Sequence, residues 1–498
     1  MTLMLSSPDD EKQRKYLINR CLVIAYLGLP AFVFLATFVR PVLAFPLALL
    51  IFLAASFIFR ESISLPSLKS FALVGLCSVI LLAVVGFPDG PFAWDWFKHW
   101  ALLGMLVSED WPVIADINGQ PQYLRYYTGA YLVPTLISKL FESSVWITFA
   151  LWLWLGYSLV LLVVLAPFEG EKIWRKMFAV LIFIAVAGAD AWAMNLFRWA
   201  DDVSLVGFVG LHQEWWFSTH FNKLLQFSSI LTSLVWVPHQ SIATFLVAGL
   251  LVFDRQRNSH ASSVLAFGLL ALWSPYGMIG LLPLLIIRLW RDRPVLPKLA
   301  FISSMVAGIF FSLLVAWYLS EGMPSGSLCI SCSLERLFFD PLPYLVFWAV
   351  ELGFFLLILR RRLFTDISCL VSFAVLLILP LIAGNSPDFV MRTSLGPIFV
   401  LAVRSVETVM AGSWKKSKPV IVAFGLSLPT VVSEATYHVQ LGRAHLELPV
   451  EDPLGGSWQA RFRTIPESTL EKFLLEESPE IAAQYFSPNK PGPIKSTE

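Results

Sequence analysis

The chain has 498 residues, 57% of them hydrophobic and 14% charged, with a formal net charge of +1. A soluble domain carries roughly 25% charged residues, so the composition excludes a soluble globular protein. The near-zero net charge offers no basic field for nucleic acid; the 19 Trp and 40 Phe suit a lipid-facing surface with interfacial aromatic belts.

The N-terminal stretch MTLMLSSPDDEKQRKYLINR is polar and ends basic. The apolar run after it, about 19 residues, exceeds a signal-peptide core and lacks a small-x-small cleavage site, so it reads as an uncleaved first span. A helix crosses the hydrocarbon core with about 20 apolar residues. On that basis the candidate spans are 20–39, 41–59, 70–87, 144–167, 177–194, 237–253, 262–274, 277–290, 299–319, 342–360, 366–384, 394–411 and 419–434, about thirteen in all. Segments 262–274 and 277–290 are short and joined by SPYG, as in a tight helical hairpin or one broken helix. The expected fold is an all-α polytopic membrane protein.

Basic residues set the sidedness. With the N-terminus inside, the cytoplasmic side collects Lys12, Arg14, Lys15 and Arg20, then Arg60 and Lys69, then Lys172, Arg175 and Lys176. Arg255 and Arg257, then Arg291, Arg293 and Lys298, then Arg360, Arg361 and Arg362, and finally Lys415, Lys416 and Lys418 join them. The same parity argues that 222–236 is not a separate span. A transmembrane domain over 1–434 then carries outer loops 88–143, 195–236 and 320–341, followed by a short extracytoplasmic tail, 435–498. His99, His212, His220, His239, His438 and His445 fall on or near the outer face, and His260 does not.

Loop 88–143 opens with GPFAWDWFKHWALL, which sets Asp95, Lys98 and His99 among tryptophans. Residues 96–107 have the apolar spacing of an amphipathic helix lying along the interface. A polar turn region with Glu109, Asp110 and Asp116 follows. An apolar segment then begins with Tyr123, Arg125, Tyr126, Tyr127 and Tyr131. Two interfacial helices joined by a loop would shelve a groove at the bilayer surface. Asp95 reads either as a helix cap, with Lys98 and His99 on lipid headgroups, or as a carboxylate whose apolar walls raise its pKa toward a useful base.

Loop 195–236 carries Asp201 and Asp202, and HQEWWFSTH has no recognised metal spacing. VWVPHQ puts His239 and Gln240 at the outer end of a span, and AGNSPDFVMRTSLGP puts Asp388 and Arg392 four residues apart. That spacing allows an ion pair on one helical turn; equally, the guanidinium suits a lipid phosphate at headgroup depth. Cys329 and Cys332 in the outer loop SLCISCSL are placed for a disulfide in an oxidising compartment. No metal ligand set stands out, and no cofactor is expected.

The order WDWFKHW, LRYYTGAYLVP, WVPHQ, NSPDFVMR resembles the GT-C superfamily of integral-membrane glycosyltransferases and bacterial membrane proteins grouped with it. The resemblance implies a GT-C-like fold in a bacterial inner membrane. It implies an inverting transfer of sugar from a polyprenyl-phosphate donor in the outer leaflet to a lipid or glycan acceptor. Asp95 matches the first-loop acid, the general base, and Arg392 or Arg125 the lipid-phosphate ligand. Lys98, His99, Tyr126, Tyr127, Asp201, Asp202, His239, Gln240 and Asp388 complete the expected substrate-binding set. The competing class is a transporter or lipid flippase; against it stand the scarcity of ionisable residues at mid-membrane depth, Arg404 and Glu351 being the main candidates, and the lack of an internal repeat. A non-catalytic assembly subunit is a third reading.

Overall fold

The computed structural model describes residues 20–59, 66–87, 96–117, 120–200, 212–221, 225–254, 259–292, 299–320, 340–382, 387–412 and 418–446. Each candidate span overlaps helix, with 177–194 interrupted in its middle. Among the described residues, eight helices are long and apolar enough to cross a membrane: Arg20–Phe38, Pro41–Phe59, Leu68–Val85, Val145–Phe168, Leu299–Leu319, Leu342–Leu359, Phe389–Ala411 and Lys418–Val439. Pro238–Phe253, Ser259–Leu272 and Ile367–Ile382 are apolar but shorter. The chain is therefore a polytopic α-helical protein. Many large apolar side chains, among them Phe45, Phe52, Leu76 and Leu313, remain on its exterior, as lipid-facing helices require because lipid tails are as apolar as Leu.

Polar contacts give the bundle two ends. On the Pro238–Phe253 helix, His239 marks one end and Asp254, just past the other, accepts from Ser262 and lies 3.9 Å from Arg20. Arg288 donates to the carbonyls of Leu250, Leu251 and Asp254, while Ser274 donates to Gln240 at the opposite end, 3.2 Å away. Ser259–Leu272 and Pro275–Asp292 thus run antiparallel as a helical hairpin, which resolves the SPYG alternative. Arg404, Glu407, Arg362 and Asp366 form an ion-pair network on the Arg288 side, because the Pro387–Ala411 helix carries Arg392 and Arg404 more than three turns apart. The basic end and the His239–Arg392 end are opposite.

Three local readings change. Segment 177–194 is not one helix: Ile173–Ile184 stops, and a second helix, Asp190–Ala200, starts. The polar stretch after the amphipathic helix pairs as two short antiparallel strands, Ile114–Ile117 with Gln120–Tyr123, rather than a plain turn, within an otherwise helical fold. The apolar segment of the first outer loop becomes helical only at Leu132 (Leu132–Phe141), which leaves Tyr126 and Tyr127 in irregular chain and Tyr131 in a turn. The last helix, Lys418–Leu446, continues beyond 434.

Candidate functional site

The helix Trp96–Ser108 forms as its apolar periodicity predicts, and its first residue anchors it. Trp96 is 1% exposed and its indole donates to the Val235 carbonyl at 2.9 Å. One turn on, His99 is buried rather than aimed at headgroups. Its Nδ1 lies 2.5 Å from the Tyr131 hydroxyl, and its ring centroid is 4.5 Å from that of His239. His239 in turn stacks on Tyr127 at 5.6 Å with 4° between the planes, and its Nε2 is 3.0 Å from Gln240 Nε2. Arg392, largely buried, donates to the Tyr127 hydroxyl. Tyr126 packs against Tyr127 at 3.9 Å, and Arg125 lies half-buried in the same stretch.

His99, Tyr126, Tyr127, His239, Gln240 and Arg392 therefore converge from four separate parts of the chain. Two turns make this possible. Gly129 donates its N–H to the Leu272 carbonyl at 2.9 Å, and a Cβ there would fall 2.7 Å from Trp273 Cγ; glycine alone lets the tyrosine turn sit on that indole. Trp273 is itself held by the Leu27 carbonyl at 3.2 Å. At the second turn, the Ser274 hydroxyl accepts from Gly277 N and donates to Gln240, fixing the amide beside His239. Tyr131 joins the cluster although only its position at the start of the tyrosine segment pointed to it.

Asp95, Asp201 and Asp202 lie outside the described residues, as do Cys329 and Cys332, the side chains of Lys98 and Asp388, and the chain after 446. The Asp388–Arg392 pairing is thus not described, whereas the Arg392–Tyr127 bond is.

Beside the amphipathic helix, an apolar groove of about 580 Å³ runs between the Leu68–Val85 and Val145–Leu165 helices. Phe71, Leu76, Leu151 and Trp154 line it, and Phe87 and Trp146 border its end. Phe87 there meets Trp96 edge-on at 6.0 Å.

A second polar cluster was not assembled by sequence reasoning. Asp190, Glu214, Glu351 and Glu434 are all buried, with His212 and His438 among them. The break between Ile184 and Asp190 creates their setting. Its backbone groups are satisfied sideways: Ser427 donates to the Ala185 carbonyl, Ile230 N to Val186, Thr430 to Gly188, and Ala189 N to Val350. An interrupted helix inside a membrane bundle needs such partners. Glu214 accepts from Ser229 N at 3.0 Å, Thr232 Oγ1 at 2.7 Å and Gln226 Nε2 at 3.0 Å. Burial, and after it the neighbouring Glu434, pushes the Glu214 carboxyl above its ordinary pKa. Glu434 takes His212 Nδ1 and Gln213 N, each at 2.8 Å. Buried ionisable groups thus gather here in addition to Glu351, which the sequence already singles out. Each acid had stood alone in sequence, and Asp190 sits inside an apolar run with no motif around it. Among the described residues no group of three or more His, Cys, Asp or Glu is placed to hold a metal ion.

No protein-family model matches the chain, and neither a curated protein nor a solved structure gives a significant match.

Proposed function

We propose that the protein is a GT-C-like membrane glycosyltransferase with about thirteen crossings, its N-terminus cytoplasmic and its tail extracytoplasmic in a bacterial cell membrane. It would move a sugar from a polyprenyl-phosphate donor to a lipid or glycan acceptor at the outer face. The observation that carries this reading is the convergence of Arg392, Tyr127, His239 and His99 at the end of the bundle opposite the basic network. A guanidinium fits the departing lipid phosphate, which in such a transfer gains charge as the glycosidic bond breaks. The apolar groove beside the Trp96–Ser108 helix suits a prenyl tail. Asp95, immediately before that helix in sequence, is the proposed base that takes the acceptor hydroxyl proton; no nucleotide or metal enters the scheme.

The test uses the full-length protein in nanodiscs. Polyprenyl phosphate, the leaving group of every such donor, should bind, and Arg392→Ala should weaken binding about ten- to a hundredfold, as expected for losing a charge-assisted contact of about 1.5–3 kcal/mol. Asp95→Asn should bind the lipid normally yet abolish transfer of label from a polyprenyl-phosphate sugar. Undiminished binding by Arg392→Ala, or full transfer by Asp95→Asn, would remove the reading.

A transporter or lipid flippase is the second reading. It is favoured by a different observation, the interrupted helix at Ile184–Asp190 with buried carboxylates beside it, an arrangement that transporters use at substrate and ion sites.

A further inference from the structure

Asp190 opens its helix next to the break, and Glu351 is the tenth residue of the 18-residue Leu342–Leu359 helix. Both are buried, at 0% and 4% exposure. They share one donor: the Trp216 indole N–H lies 3.1 Å from Asp190 Oδ1 and 3.3 Å from Glu351 Oε1. The remaining oxygens face the same glycine, since a Cβ on Gly188 would stand 2.8 Å from Asp190 Oδ2 and 2.9 Å from Glu351 Oε2. Asp190 Oδ2 has no donor among the described residues. Two acceptors are thus packed together in the interior, a contact that is stable only when one carboxyl supplies the hydrogen.

The surroundings supply no cationic partner for the pair among the described residues. Around Asp190 and Glu351 the packed elements contribute Glu214 and His212 from the segment 212–215, Glu434 and His438 from the last helix, Arg198 from the Asp190–Ala200 helix and His220 from Trp216–Phe221. His212 is engaged by Glu434, and Glu214 is satisfied by three donors of its own. Among the described residues no Lys or Arg pairs with Asp190 or Glu351. A second buried negative charge would cost several kcal/mol without a partner, and two carboxylates sharing a site do not both ionise readily.

We propose that Asp190 and Glu351 hold one exchangeable proton between them, forming a proton-binding site buried in the bundle and separate from the His99–Arg392 cluster. The proton enters and leaves as such, with no other bond made or broken. When it leaves, one indole N–H serves two anions, and the contact between the helix break and the Leu342–Leu359 helix, closed by the Ala189 N to Val350 carbonyl bond, is weakened. The proposal rests on neither functional reading above.

Infrared difference spectroscopy on the full-length protein in nanodiscs tests it. A pH step should reveal a protonated-carboxyl C=O band that shifts in D₂O. The band should vanish in both Asp190→Asn and Glu351→Gln and persist in Glu214→Gln. Thermal unfolding gives a second measure, because Glu351→Gln replaces the shared proton with an amide donor aimed at Asp190. Its midpoint at neutral pH should match or exceed that of the unaltered protein, while Glu351→Ala should lower it. Absence of the band in the unaltered protein, its survival in both dyad variants, or a fall of several degrees in Glu351→Gln overturns the proposal, whether or not the protein transfers sugar.

Discussion

His212 shows how buried charge is managed at the scale of one residue. Burial alone disfavours its protonated ring, but the Glu434 carboxylate, through its charge and the 2.8 Å hydrogen bond, outweighs burial and leaves the imidazole pKa above its ordinary value. A base with a raised folded-state pKa stabilises the fold fully below its unfolded value, about 6.5, and that contribution is lost as pH climbs through the folded value. Glu214, also raised, acts in the same direction from a lower starting pH. The unfolding midpoint of the purified protein in detergent should therefore decline from mildly acidic to mildly alkaline pH. His212→Gln should lower the midpoint on the acid side and flatten this decline between about pH 6.5 and the folded pKa. An unchanged slope in that variant would assign the effect to another group. The residues of the His99–Arg392 cluster were individually legible because an imidazole, amide or guanidinium at the end of an apolar run is conspicuous. Their mutual contacts were not, since residues 99, 127, 239 and 392 are far apart in the chain and only packing brings them within stacking distance.

At the scale of elements, the position of Arg392 depends on how closely two helices approach. Gly280 on Pro275–Asp292 faces the Pro387–Ala411 helix, and a Cβ at Gly280 would lie 1.9 Å from the Thr393 carbonyl oxygen, the residue after Arg392. Backbone cannot rotate out of the way as a side chain can, so the helices must separate. Gly280→Ala should destabilise the protein by about 1–3 kcal/mol and, by moving Arg392 away from Tyr127, weaken polyprenyl phosphate binding more than its loss of stability explains. Normal stability and normal lipid binding in Gly280→Ala would show that this approach is not needed. Helices as units were readable from hydropathy because length and apolarity alone decide whether a segment crosses a membrane. The interruption after Ile184 was not. Residues Val186, Ala187, Gly188 and Ala189 keep the run apolar, and the partners that satisfy its backbone, Ser427, Thr430, Ile230 and Val350, come from three other segments. The strand pair within 114–123 was hidden for a related reason: its strands, IADI and QPQY, carry no alternating apolar pattern. The short helix Ile230–Trp236 touches both clusters. Thr232 contacts Glu214, the Trp236 indole donates to His438, and the Val235 carbonyl receives Trp96.

For the whole molecule, sidedness decides which sugar donors the His99–Arg392 cluster can meet. The structure separates an end rich in Arg–carboxylate pairs from one lined by His, Tyr and Arg392. The loops that leave the first end are those whose Lys and Arg residues all fall on one side of the predicted parity, so the positive-inside rule assigns that end to the cytoplasm. Single cysteines at Asn118 and Gly456, in a background whose native cysteines are replaced, should react with a membrane-impermeant maleimide in intact cells. A cysteine at Lys416 should react only after the membrane is opened. Reaction at Lys416 from outside would invert the molecule and put the His99–Arg392 cluster on the cytoplasmic side. Nucleotide-linked sugars, absent outside, would then be accessible to it, and the case for a lipid-linked donor would lose its footing. Protection of Asn118 together with exposure of Gly456 would instead mean an odd number of crossings lies between those two positions. The parity would then fail where short or interrupted helices make the crossing count most sensitive to a single turn, as at the Ile184–Asp190 break, Ile230–Trp236 or the Ser259–Leu272 arm of the hairpin.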